Sequence, residues 1–199
     1  MVTRDDNAVQ TLGQDGGRPG GPAPGPSEAA AAAFQAGVWV LARPGESLRD
    51  FMAASLGFPA SYIEGSVSTV FLDASPVDDI DAALVKPGCL VALSGAMPGL
   101  VGAVMRRRSP YASFRTAISH AGESADEAAG GEAAGGDRGP SGPEEACLVR
   151  LKLFNAVLRD MGRMVIERGA WLESAEAGQA APTAELPGAP AASLIRLPA

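Results

Sequence analysis

Apolar residues recur along the chain with the spacings of strands and helices. Residues 38–41 and 67–72 are short β-prone runs that stop at turn sequences. Residues 147–153 alternate between apolar and polar positions, which is the period of a half-buried strand. Two further stretches, which follow Ser47 and Asn155, carry apolar residues at helical spacing. The pattern predicts an α+β fold with a small mixed sheet and two or three helices.

The two predicted helices carry signals at both ends. Ser47 and Asn155 have side chains that can cap a helix N-terminus, and Gly57 and Gly169 are suited to end the helices. The residues predicted to face the core from these helices are Leu48, Phe51, Met52, Leu56, Val157, Leu158, Met161, Met164 and Val165.

Three segments are rich in Gly, Pro and Ala and offer little apolar surface to bury: residues 1–35, 121–146 and 174–199. Ordering a backbone costs roughly 1–2 kcal/mol per residue, which such segments cannot offset. They predict two disordered tails and a disordered linker around one folded domain, formed by residues 36–120 and 147–173.

The linker is flanked by two stretches that are both predicted to be strands. Residues 111–118 contain Tyr111, Phe114, Thr116 and Ile118, and residues 147–153 follow the linker. The simplest topology pairs the two stretches as neighbours in a hairpin, because lengthening a loop costs little free energy. Further on, Trp171 and Leu172 are predicted to be a final edge strand or a packing anchor.

The formal charge of −7 is concentrated in the linker. Residues 121–146 hold seven acidic residues and one arginine, whereas the two predicted folded parts are close to neutral. An acidic linker mostly confers solubility, with a basic partner as the alternative. A near-neutral fold with few aromatic residues does not indicate a nucleic-acid partner.

Few residues in the chain are typical of catalysis or metal binding. His120 is the single histidine and lies at the edge of the linker, where it is expected to be an ordinary surface residue. Four aspartates cluster without the spacing of a calcium loop; they are Asp73, Asp78, Asp79 and Asp81. We therefore predict no catalytic residue, no metal site and no cofactor.

The cysteines and the N-terminus bear on the compartment. Cys89 and Cys147 each lie in an apolar run, where a free cysteine behaves as a small hydrophobic residue. Two cysteines do not make a disulfide framework, and residues 1–10 lack the apolar core of a signal peptide. These observations predict a cytoplasmic protein.

The longest uncharged stretch is residues 87–105, which are followed directly by Arg106, Arg107 and Arg108. It can be interpreted as a membrane span, as a buried strand that runs into a glycine loop around an anion, or as the closing strand of a small fold. Four glycines and two prolines disfavour the span, so no membrane partner is expected. Residues 89–93 are predicted to be a core strand, and a helix is predicted to begin at Pro98 or Gly99 and to continue to Arg108.

The order of strand, glycines and helix is the one used to bind anions at helix N-termini. The spacing matches neither the Walker A loop nor the dinucleotide fingerprint. The candidate ligand-binding residues are Gly95, Gly99, Gly102, Arg106 and Arg107. The ligand predicted for them is a small phosphorylated or carboxylated compound.

Residues 47–102 resemble the second half of the β-grasp, ubiquitin-like sulfur-carrier proteins. The resemblance rests on a helix, a strand followed by the turn from Asp73 to Val77, a second turn at Lys86-Pro87-Gly88, a strand, and a glycine-containing end. It implies a β-grasp-like first portion. Carrier chemistry is not implied, because the carriers end in an activated Gly-Gly, whereas this chain continues far beyond Gly99. The family also has two strands before the helix, and only one is visible here.

These observations predict a non-catalytic interaction or assembly module with an unidentified protein partner. The alternative is a binding protein or an enzyme that takes a small anionic ligand through residues 95–102 and 106–108.

Overall fold

The computed structural model describes residues 25–115, 146–174, 187–190 and 193–198. This part of the chain forms a seven-stranded mixed sheet and five α-helices, so the predicted α+β class is confirmed and the predicted number of helices was too low. The strands are β1 (Val38–Ala42), β2 (Thr69–Leu72), β3 (Ser75–Pro76), β4 (Leu90–Ser94), β5 (Cys147–Phe154), β6 (Trp171–Ser174) and β7 (Ser193–Arg196). The helices are α1 (Glu28–Ala36), α2 (Leu48–Asp50), α3 (Ala60–Gly65), α4 (Gly99–Met105) and α5 (Asn155–Arg168).

Strand β5 occupies the centre of the sheet, whose order is β3-β2-β4-β5-β1-β6-β7. It pairs in parallel with β4, with Leu151 beside Val91, and antiparallel with β1, with Val149 beside Val40. All other neighbouring strands are antiparallel. The central strand β5 is therefore far in sequence from both of its neighbours, β1 and β4.

The main core lies on one face of this sheet, beneath α1 and α5. Phe34 of α1 and Val157 of α5 are fully buried there, together with Leu151 and Leu153 of β5. The alternation of β5 explains the arrangement, since every second side chain of a strand points to the same face. The opposite face is less covered, and a smaller cluster around Trp39 fills only the end near β6 and β7.

The helix predicted after Ser47 is confirmed. The Ser47 hydroxyl accepts a hydrogen bond from the backbone N–H of Asp50, and the four predicted inward positions are all buried. After α2 the helix widens into a π-type stretch, Phe51–Ser55, and the chain turns at Gly57, whose φ is +79°. A positive φ suits glycine because it has no Cβ.

The helix predicted from Asn155 also forms and ends at Gly169, but Asn155 does not cap it. Its backbone is left-handed, with φ at +52°, and its side-chain Nδ2 donates to Ser94 Oγ at 2.9 Å. The first N–H groups of α5 thus receive no side-chain cap. Asparagine tolerates this conformation better than most residues.

The hairpin predicted across the linker is wrong. Residues Ala112–Arg115 form a 3₁₀ turn, and the remainder of the predicted strand lies outside the described residues. Both sides of β5 are occupied by β1 and β4, so no strand from the 111–118 region can pair with it. Local apolar spacing suggested the strand, whereas a buried Arg115 side chain organises the turn.

Two of the predicted boundaries also need correction. Residues 1–35 were predicted to be a disordered tail, yet Glu28–Ala36 form α1 and bury Phe34. Residues 174–199 were predicted likewise, yet β7 pairs with β6, which is therefore not the edge strand. Residues 1–24 and 116–145, which include His120 and nearly all of the predicted linker, lie outside the described residues.

Candidate functional site

The uncharged stretch divides between the core and the surface. Its first part is β4, where Val91 and Leu93 are fully buried, as predicted for a core strand. Residues 95–98 then leave the sheet, and α4 follows. Leu100 and Val101 of α4 are 73% and 69% exposed. None of the helices among the described residues has the length and apolar character required to cross a membrane.

Packing requires one of the three candidate glycines, Gly102, and leaves little space at a second, Gly95. A Cβ on Gly102 would lie 2.1 Å from the carbonyl oxygen of Met97, which only a glycine permits. A Cβ on Gly95 would lie 3.3 Å from the Cβ of Ala156 at the start of α5. Gly99 begins α4 with φ at +77° and has open space around it. The glycines therefore bring the loop close to α5 and fold Met97 against α4.

The arginines that follow α4 have different environments. Arg107 is 8% exposed, and its guanidinium donates to the carbonyl oxygens of Val67 and Ile63 at 3.0–3.2 Å. Burial lowers the pKa of Arg107. Arg106 is exposed, and Arg108 lies 3.5 Å from Glu64. Anion binding by this loop stays a prediction, with Arg107 already bonded to backbone carbonyls of α3 and of the segment that follows it.

Arg115 joins α4 to the 3₁₀ turn. Its guanidinium is buried and donates to the carbonyl oxygens of Val104 at 2.6 Å and Arg106 at 3.1 Å. It also forms an ion pair with Asp78 at 2.6 Å. Carbonyls at the end of α4 are thereby bonded, as helix C-termini require. The two short elements form one structural unit with its apolar side chains outward.

Four large apolar side chains of this unit are exposed, and we call them together the apolar platform. Leu100 and Val101 come from α4, and Tyr111 and Phe114 come from the turn at its side, with Phe114 79% exposed. The two aromatic rings stack with centroids 6.4 Å apart. A concentration of exposed large apolar residues of this kind is typical of interaction sites. Sequence reasoning assigned Tyr111 and Phe114 to a strand, and it missed that they belong to a turn that lies beside α4.

A concave feature lies at the carboxyl ends of β4 and β5, and we call it the β4–β5 cleft. Its volume is about 230 Å³. The residues that line it are Phe71, Ala92, Ser94, Met97, Phe154 and Asn155. Sequence reasoning missed it, although apolar residues at outward positions of β2 and β5 were a visible signal.

Several other charged residues have structural partners. Arg49 of α2 donates to the carboxylates of Asp81 and Glu64, and these hydrogen bonds lower the pKa of both acids. Asp79 accepts hydrogen bonds from the backbone N–H of Asp81 and Ala82, and Asp73 from that of Leu90. Among the described residues, no three His, Cys, Asp or Glu side chains are arranged to hold a metal ion.

Cys89 and Cys147 are free and buried in the main core. Burial raises the pKa of the Cys147 thiol to about 11, and it raises that of Cys89 as well. Because the thiolate is the nucleophile, neither side chain is suited to covalent catalysis at neutral pH.

Both thiols are expected to react with iodoacetamide at pH 8 roughly 100-fold more slowly in the native protein than in urea, which mass spectrometry of the labelled peptides measures.

The raised pKa of Cys147 also predicts how the stability of the protein depends on pH. The folded state retains the Cys147 proton up to pH 11, whereas the unfolded thiol loses it near pH 8.5. This contribution to stability is therefore complete below pH 8.5 and is lost towards pH 11. Cys147→Ala should flatten that decline in denaturant titrations, and an unchanged slope would contradict the assignment.

Comparison of the chain with protein-family models, with curated proteins and with solved structures gave no match. The apolar platform and the β4–β5 cleft are therefore the candidate functional features of the described residues.

Proposed function

We propose that the protein is a non-catalytic cytoplasmic interaction or assembly module that binds a protein partner through the apolar platform. The observation that carries the proposal is the exposure of Leu100, Val101, Tyr111 and Phe114 on one unit held together by Arg115. Exposing four large apolar side chains has a cost in solubility, and a partner that covers them removes it. Aromatic residues are also the commonest anchors of protein interfaces.

The charges around the platform favour a protein over a lipid surface. Arg106 and Arg108 are exposed beside α4, but the acidic residues Asp78 and Glu64 lie next to the same unit and contact it. An anionic bilayer attracts uniformly basic surfaces. A mixed rim around an apolar centre is the usual composition of a protein interface.

We also propose that the portion from β1 to β5 has a β-grasp-like arrangement. The resemblance requires two strands before the helix, and among the described residues only β1 precedes α2. Strand β5 lies antiparallel to β1 and parallel to β4, which is the position that the absent first strand would occupy. This placement supports a version of the fold in which that strand is supplied from later in the sequence.

The platform is tested by photo-crosslinking in extract from the source cells. A benzophenone amino acid replaces Val101 in one protein and Ala32, which is exposed on α1, in the control. We expect a protein crosslinked only at position 101, and a second copy of this chain would satisfy the assembly form of the proposal. With that partner purified, Leu100→Ser with Phe114→Ser should raise the Kd more than tenfold. Equal crosslinking at both positions, or an unchanged Kd, would contradict the proposal.

A further inference from the structure

The β4–β5 cleft lies on the sheet face opposite α1 and α5, and the strand register builds its walls. Phe71 pairs with Ala92 across β2 and β4, and Ser94 pairs with Phe154 across β4 and β5. Because directly paired residues share a face, these four side chains lie on the same side of the sheet. Ala92 is the smallest of the four and leaves a gap between two phenyl rings. Met97 also lines the gap from the loop above the strands.

One end of the cleft is polar. Ser94 is only 5% exposed, and its hydroxyl accepts a hydrogen bond from Asn155 Nδ2 at 2.9 Å. The Ser94 proton is then available as a donor, and the Asn155 carbonyl oxygen as an acceptor. Thr69 pairs with Ser94 across β2 and β4 and is fully buried on the same face. Its hydroxyl has no hydrogen-bond partner among the described residues.

Thr69 is not among the residues that line the cleft, so the polar end of the cleft consists of Ser94 and Asn155. The location of the cleft supports ligand binding. The chain leaves β5 into α5 on the core face, whereas Met97 follows β4 on the opposite face. Crevices at the carboxyl ends of adjacent parallel strands, where connections diverge in this way, are where open sheets bind ligands.

We propose that the β4–β5 cleft binds a small, uncharged, planar heteroaromatic compound of one or two fused rings. The rings lie over Ala92 between Phe71 and Phe154, and one edge meets the polar end. That edge carries a donor and an acceptor side by side, matching the Asn155 carbonyl and the Ser94 hydroxyl. The size follows from the volume of about 230 Å³, since a cavity of about 150 Å³ holds benzene. An uncharged ligand matches the lining, whose described side chains are not ionisable; Lys152 pairs with Ala92 on the same face but is not part of the lining.

Carbostyril, a bicyclic lactam with adjacent N–H and C=O groups, is the probe. Titrations followed by amide chemical shifts should show saturable changes at Ala92, Ser94 and Asn155, with a Kd of about 0.1–3 mM. Ala92→Leu fills the gap and should raise the Kd more than tenfold. Ala32→Leu, the same change on exposed α1, should leave it unchanged. Ser94→Ala and the replacement of the probe by N-methylcarbostyril should each weaken binding at least threefold.

Three results would overturn the proposal: no saturable shift up to about 10 mM probe, equal Kd values for Ala92→Leu and Ala32→Leu, or no effect of either polar change. If Ala92→Leu does not fold, Met97→Ala is measured instead, because it removes a side chain that lines the cleft from outside the sheet. A change in the Kd of the probe smaller than threefold would then overturn the proposal. Phe114→Ser on the apolar platform should leave the Kd of the probe unchanged, so the two sites are tested separately.

Discussion

A chain that ends at Arg115 is expected to show no cooperative unfolding transition. The truncation removes β5, the central strand, and leaves β4 and β1 without the partner that joins them. It also removes α5 and exposes the face of Phe34 that packs in the main core. Losing several fully buried aliphatic side chains, at about 2–5 kcal/mol each, exceeds the total stability of an ordinary domain. Circular dichroism during urea titration measures the result.

The control for this truncation is a chain that ends at Ser174, which loses β7 but keeps β5 and α5. It should retain a cooperative transition at a lower midpoint, because β7 adds only an outer strand and buries Leu194 and Leu197. Fragments 25–115 and 146–198 should regain the transition when they are mixed. A cooperative transition in the chain that ends at Arg115 would show that β5 is dispensable and would remove the support for the β-grasp-like arrangement.

The elements that could be predicted from sequence are those set by neighbouring residues. The Ser47 cap, the inward face of α5 and the alternation of β5 are local patterns, and all three are present. The pairing of β5 could not be predicted, because it depends on strands that are more than fifty residues earlier in the chain. The simplest hypothesis paired β5 with the stretch that precedes the acidic linker. This pairing is excluded because β1 and β4 already lie on either side of β5.

The candidate site was predicted only in part, because burial of a charged side chain leaves no local pattern. The three consecutive arginines look equivalent in the sequence, yet only Arg107 is buried among backbone carbonyls. The 3₁₀ turn was mistaken for a strand because Tyr111 and Phe114 have high β propensity, whereas the buried ion pair of Arg115 determines the local structure. Gly102 was predicted to bind an anion, whereas its surroundings give it a role in packing.

The three arginines provide the second large expected effect. Arg107→Met should lower the free energy of unfolding by about 2–3 kcal/mol, whereas Arg106→Met should change it by less than about 0.5 kcal/mol. Arg107 donates to the carbonyl oxygens of Ile63 and Val67, and a methionine of similar length fills the volume without any donor. Removing the buried charge recovers part of its desolvation cost, which keeps the expected loss below the sum of the lost hydrogen bonds.

Arg107→Lys separates the roles proposed for this side chain. A lysine keeps the charge but has no planar fork, so it cannot donate to two carbonyls from one rigid group as the guanidinium does. We expect Arg107→Lys to lose most of the stability that Arg107→Met loses, with both measured by urea unfolding at neutral pH. If Arg107 acted as a charge that binds an anion, the lysine variant would match the wild-type protein and sodium phosphate would raise the midpoint of both. Because bonds to Ile63 and Val67 hold the end of α4 beside α3 and the segment that follows it, we expect the lysine variant to be destabilised and phosphate to have no differential effect.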